Sequence, residues 1–126
     1  MTPEQKFWQK IKPYIPGHVC RIENSAGSGM PDVMVCYRGV TVWIELKVAV
    51  NEKVLLRRYQ WGWTKEHTEA GGKVVILAEF PTCIKAWHAH VWCTAVAYGN
   101  TDEYAEICEQ GSRKLQARDL KNILFT

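Results

Sequence analysis

Two runs rich in β-branched and aromatic residues, 32–37 (DVMVCY) and 40–48 (VTVWIELKV), are separated only by Arg38-Gly39. No other feature constrains the fold as much, because a two-residue break between such runs reads as a β-hairpin. With a two-residue turn, Tyr37 pairs with Val40, Val35 with Val42 and Val33 with Ile44, which sets Asp32 opposite Glu45. Side chains alternate between faces, so Lys47 shares the face of Glu45. The other face carries Val33, Val35, Val42 and Ile44, all apolar, while Met34, Cys36 and Trp43 accompany the acids. A hairpin apolar on both sides belongs inside a sheet, covered on both faces.

Charges at such a place need a chemical reason. Directly opposed Cβ atoms lie about 4.5–5.5 Å apart. Carboxylates so placed can share one Mg²⁺, with roughly 2.0–2.1 Å to each oxygen. Without a cation each acid raises the other's pKa. A metal between them polarises a phosphate and lowers the pKa of a bound water, and a nearby lysine orients the nucleophile or neutralises developing charge. The trio therefore suits metal-dependent cleavage of a phosphodiester. The plainer reading is an edge hairpin with an exposed acid–lysine pair, and the apolar residues on both faces count against it.

The stretch RIENSAGSGMPDVMVCYRGVTVWIELK, followed by RRYQWGW and KVVILAEF, resembles the PD-(D/E)xK nuclease superfamily. Within it the stretch is similar to the VRR-Nuc branch of phage-type, Holliday-junction-resolvase-like endonucleases, over about residues 4 to 80. PD and ExK alone are weak motifs. Their order, their separation by one hairpin, the glycine before PD and the downstream glutamine raise the specificity. The resemblance implies that Asp32 and Glu45, with the Leu46 main-chain carbonyl, bind Mg²⁺ or Mn²⁺. It makes Lys47 the catalytic lysine and sets Gln60 beside the active site. An additional upstream acid is expected, either Glu4 or Glu23. Lys53, Arg57, Arg21 and Ser28 are the expected DNA contacts. The implied fold is a restriction-endonuclease-like α/β core, α-β-β-β-α-β, with a mixed central sheet flanked by helices. The implied activity is endonucleolytic cleavage of branched DNA by a homodimer, in the cytoplasm of a bacterial or phage-infected host. Two alternatives stand beside it: a nucleic-acid- or partner-binding protein that keeps the scaffold without turnover, and a restriction-type enzyme specific for duplex DNA.

Length and composition agree. A chain of 126 residues, 47% hydrophobic, suits one domain, with a core over about 2–80 and an extension over about 81–126. The charged amino terminus and the lack of any apolar run near membrane-spanning length predict an intracellular protein without membrane contact. Five cysteines without a framework spacing predict reduced thiols. The net charge of +3 is mildly basic, and because the proposed site is acidic, the remaining surface is more so.

Thr2-Pro3-Glu4-Gln5 has the form of a helix start, and the helix runs to about Ile11. VCRIENS reads as a strand. Residues 54–70 read as a helix with Lys53, Arg57, Gln60, Thr64 and His67 on one polar face and Leu55, Leu56, Tyr59 and Trp63 on the other. KVVILAEF then pairs parallel to the Glu45 strand, with that helix as the crossover. TDEYAEICEQ and SRKLQARDLKNIL read as two helices, capped by Thr101 or Asp102 and by Ser112, whose Arg113, Lys114, Arg118 and Lys121 make this end basic. Cys83, His88, His90 and Cys93 lack a structural-zinc spacing and are read as core residues. Trp61, Trp87 and Trp92 are candidates for an exposed aromatic patch serving a dimer contact or base stacking.

Overall fold

The computed structural model describes residues 1–22, 29–89, 96–98, 104–107 and 112–125, with backbone alone for 96–98 and 104–107. The hairpin forms with the register counted from sequence: β2 (Val33–Tyr37) pairs antiparallel with β3 (Val40–Val48), from Tyr37↔Val40 to Val33↔Ile44. Arg38 and Gly39 both take positive φ, 51° and 80°, as the two central positions of a tight hairpin turn require. β1 (His18–Arg21) lies antiparallel to the outer side of β2. On the other side of β3, β5 (Val74–Glu79) runs parallel. β6 (Ile84–His88) and β9 (Arg113–Leu115) continue antiparallel, giving a six-stranded mixed sheet in the order β1-β2-β3-β5-β6-β9.

One face of this sheet presents Val33, Val35, Val42, Ile44, Leu46, Val75 and Leu77. It is covered by Phe7, Trp8 and Ile11 of α1 (Pro3–Ile11) and by Leu120, Ile123 and Leu124 of α3 (Leu120–Leu124). Helix α1 starts as the sequence requires, with Thr2 Oγ1 accepting from the Gln5 amide and Gln5 Oε1 accepting from the Thr2 amide. The second face carries Val74, Ile76, Ala78 and Trp87, packed against Leu56 and against Trp61 and Trp63 of α2 (Arg58–Glu69). Trp63 meets Trp43 of β3 edge-on at 5.3 Å and stacks on His67 at 4.7 Å, which docks α2 onto the strand that carries Glu45.

Several elements differ from the sequence reading, each for a tertiary reason. The 54–70 helix starts at Arg58, because Leu55–Arg57 is a strand, β4, paired with β8 (Tyr104–Ile107), which also pairs with β7 (Val96–Tyr98). Leu56 is consequently buried while Leu55 and Tyr59 are 43% and 46% exposed, and Thr64, assigned to the polar face, is buried. Within TDEYAEICEQ the described residues form β8, and Arg113–Leu115 extends the main sheet beside β6. Both segments gain hydrogen bonds from partners remote in sequence, which outweigh helix propensity. A 3₁₀ turn, Ala117–Asp119, precedes α3, so Ser112 caps no helix. Trp87 lies in the core, not in a surface patch. Cys20, Cys36 and Cys83 are free thiols. Cys93, Cys108, His90, Trp92, Thr101 and Asp102 lie outside the residues described at side-chain level.

Candidate active site

The pairing of β2 with β3 ends at Val33↔Ile44, while β3 runs on beside β5 as far as Val48↔Glu79. Past Val33, therefore, one edge of β3 has lost its strand partner. The Asp32 carbonyl accepts from the Ile22 amide, turning the chain toward β1. The Asp32 side chain takes the place of the missing strand, and its Oδ2 accepts the Leu46 N–H at 2.8 Å. A residue's N–H and C=O point to the same strand edge, so the Leu46 carbonyl faces the same opening. Such a crevice beside the carboxyl ends of parallel strands is where open α/β sheets bind ligands.

Glu45 projects onto the α2 side and is only 3% exposed. Burial, and next the negative charge of Asp32, push its carboxyl well above the ordinary carboxylate range. The positive charge of Lys47 draws it partly back; a hydrogen bond to Asp32, made when Glu45 is protonated, raises it, and Arg21 has a smaller lowering effect. The fold thus disfavours a negative charge on Glu45 beside Asp32, a charge that a cation between the two carboxylates would offset. That donor set, two carboxylate groups with a main-chain carbonyl facing the same opening, fits a hard divalent ion.

Gln60, in the first turn of α2, ties the group together. Its Oε1 accepts from Lys47 Nζ and from the Arg57 amide, both at 3.0 Å, while its Nε2 donates to Glu45 Oε1 at 3.1 Å. The reversed amide would set an NH₂ against an ammonium and a carbonyl against a carboxylate, so electrostatics fixes its orientation. Lys47 Nζ lies 3.9 Å from Glu45 Oε1, a longer and weaker contact than its bond to Gln60. Gly29 seats this turn. Its φ is +80°, and a Cβ added there would overlap the Tyr59 carbonyl, so only glycine lets the segment before Pro31 close against α2.

The structure thus brings together Asp32, Glu45, Lys47, Gln60 and the Leu46 backbone. Arg57 is exposed at the start of α2, next to Gln60. Arg21 lies across the sheet, its guanidinium 5.9 Å over the Trp8 ring, and acts on Glu45 as a charge only. Lys53 is exposed, closing a tight turn with Val50. Glu4 is not gathered with the pair: among the described residues no three His, Cys, Asp or Glu side chains come together. Cys83 and His88 stand at opposite ends of β6. Glu23 and Ser28 lie outside the described residues. The sequence reading missed two things: the Asp32–Leu46 bond and the double role of Gln60. The count from sequence carried the hairpin on to Asp32 opposite Glu45, whereas the pairing stops at Val33↔Ile44 and leaves the Asp32 side chain to bond the Leu46 amide.

Sheet order and strand directions define a restriction-endonuclease-like α/β fold of the resolvase type. No family model matches the chain, and no curated protein does. Among solved structures the chain is similar to Hjc from Archaeoglobus fulgidus, a Holliday junction resolvase from an archaeal hyperthermophile. The match has a TM-score of 0.59 and 12% identity, over 93% of this chain and 98% of that one. At this identity the likeness is one of fold.

Proposed function

We propose that the chain is a divalent-metal-dependent endonuclease of the PD-(D/E)xK type that hydrolyses phosphodiester bonds in branched DNA. The observation that carries this reading is the convergence of Asp32, Glu45 and Lys47 on one face of the sheet, with the Gln60 amide bridging Lys47 and Glu45 and Asp32 bonded to the Leu46 amide. The Archaeoglobus protein of the same fold is a Holliday junction resolvase, which supports branched DNA as the substrate class. In this reading Asp32, Glu45 and the Leu46 carbonyl hold Mg²⁺ or Mn²⁺, with an upstream acid, Glu23 or Glu4, completing the set. The bound ion supplies a water of lowered pKa and polarises the scissile phosphate. Lys47 directs its ammonium at the reacting centre, where it orients the water and neutralises charge developing on the phosphate oxygens. Gln60 holds Lys47 there, because an untethered lysine would pair with Glu45 or turn to solvent. Arg57, Lys53 and Ser28 hold flanking phosphates, while Arg21, on the α1 side of the sheet, contributes only its charge.

The reading extends to residues 1–126 as one nuclease domain of the VRR-Nuc branch. It also takes the working unit as an intracellular homodimer, because paired cuts on a two-fold junction need two active sites. The test is cleavage of labelled four-way junction, flap, splayed duplex, linear duplex and single strand with Mg²⁺ or Mn²⁺, beside Lys47→Ala and Glu45→Ala. Metal-dependent cutting of the branched substrates, reduced about 10²-fold or more by either substitution, is the expected result. Preference for a defined linear duplex would identify a restriction-type enzyme instead. Folded, metal-bound protein that binds DNA and cuts none of the panel would reduce the chain to a binding scaffold.

A further inference from the structure

Three lysines stand in one row across the sheet. Lys47 of β3 pairs with Ala78 of β5, Ala78 with Lys85 of β6, and Lys85 with Lys114 of β9. Directly paired residues point to the same side, so all four share the face that carries Glu45. Neighbouring strands are about 4.8 Å apart, which makes the row roughly 14 Å long from the candidate active site to the edge strand. Ala78, between Lys47 and Lys85, is buried within the cluster on the α2 side, so DNA meets the row at Lys47 and at its far end and not along β5.

Like charges directly opposite one another destabilise a sheet. Yet Lys85 faces Lys114 and is only 7% exposed, with its ammonium 4.3 Å from the Phe80 ring centroid. The two lysines line a cavity of about 390 Å³, walled also by Phe80, Pro81, Thr82, Cys83 and Glu52. A buried ammonium and a second one opposite it, opening on a cavity with a threonine in its wall, form a site for an oxyanion. Among the described residues Glu52 is the one acid in that wall, and it opposes such a ligand.

We infer that the Lys85–Lys114 cavity is a second phosphate site, which receives a backbone phosphate of the same DNA whose scissile phosphate lies at Lys47. This rests on the nuclease reading and extends it, because it gives the DNA a direction: across the strands from β3 toward β9. Lys85 stands two strand spacings, roughly 10 Å, from Lys47. With about 3.4 Å of axial rise per nucleotide, the bound phosphate lies about three nucleotides from the cut.

The test is DNA affinity against salt concentration, by fluorescence anisotropy of a labelled four-way junction in chelator, where nothing is cut. Wild type is compared with Lys114→Ala, Lys85→Met and Glu52→Gln. Lys12→Ala, beside α1 on the opposite face, serves as control. Loss of one phosphate contact lowers the slope of log K against log salt by about 0.9. Lys114→Ala and Lys85→Met are expected to show that loss with several-fold weaker binding, and Glu52→Gln to bind more tightly. Lys114 and Glu52 are exposed, so these two carry the test should Lys85→Met fail to fold. If wild type binds and cuts while affinity and slope are unchanged in Lys114→Ala and Glu52→Gln, the second site is overturned and the nuclease reading stands. If wild type binds no DNA, both fall. Inorganic phosphate that raises the melting temperature of wild type but not of Lys114→Ala, with DNA affinity equal in the two, would mark a free-anion site and overturn the DNA contact.

Discussion

Glu45 is the residue at which stability and the proposed chemistry oppose each other. Its carboxyl is buried beside Asp32, and the folded protein holds its proton to a higher pH than the unfolded chain does. The sign follows from proton counts. Between the ordinary glutamate value of 4.5 and the raised folded value, the native state binds more protons than the unfolded state, so stability falls as pH rises. Glu45→Gln copies the protonated side chain, which can still accept from Gln60 and donate to Asp32. In chelator at neutral pH this variant is expected to melt a few degrees above wild type, with the difference closing as pH falls toward about 4.5. Thermal denaturation across that range measures it, and a variant less stable than wild type at neutral pH would contradict the strained pair.

At the scale of elements, the segment before Pro31 and the first turn of α2 act as one piece. Gly29 and Gly39 share the same positive φ, +80°, but only at Gly29 would a Cβ strike another element. Alanine at either position carries backbone strain on the order of 1–3 kcal/mol. At Gly29 it must also displace the turn that carries Gln60, and misplacing a positioning group by about 1 Å can cost 10²-fold in rate. The expected outcome is that both variants lose stability, Gly29→Ala the more, while Gly29→Ala alone loses cleavage, by roughly 10²-fold. Equal activity in the two variants would show that this contact does not position Gln60. What was legible in the sequence divides along the same line. The hairpin and its register were readable because both strands and the turn are contiguous, and apolar alternation fixes which face turns inward. The parallel β3–β5 pair was readable because its crossover helix lies between them in sequence. β4 and β8 were not, since Leu55 pairs with Glu106, and nothing near either residue signals the other. The Lys85–Lys114 pair was hidden for the same reason: β9 reads as the start of a basic helix until β6 supplies its partner. Of the site itself, the acids and lysine were legible from the pattern, and the orienting amide only as a residue near them.

For the whole molecule, the site is a place where the fold stores unfavourable charge that a ligand can relieve. A divalent ion that binds only the native state stabilises it by RT ln(1 + [L]/Kd), about 2.7 kcal/mol at a hundred times Kd. It competes with the proton that the raised Glu45 carboxyl holds, so metal affinity and its thermal signature should grow with pH. Titrating Mn²⁺ into DNA-free protein separates this from catalysis. Wild type should show a rise in melting temperature that is small at mildly acid pH and several degrees at mildly alkaline pH. Glu45→Gln should start from a higher baseline and lose most of the increment, because it has gained by neutralisation what wild type gains from the ion. Lys47→Ala should keep the increment or enlarge it, since removing a cation beside the carboxylates leaves more negative charge for the metal to balance. A wild-type protein indifferent to Mn²⁺ at every pH, or a Glu45→Gln variant that responds as wild type does, would mean that the paired acids serve something other than a metal. The Lys47→Ala result separates the lysine's part from that of the ligands: a lysine that acts on the phosphate can be lost without losing the ion, and one that holds the acids in place to bind it cannot.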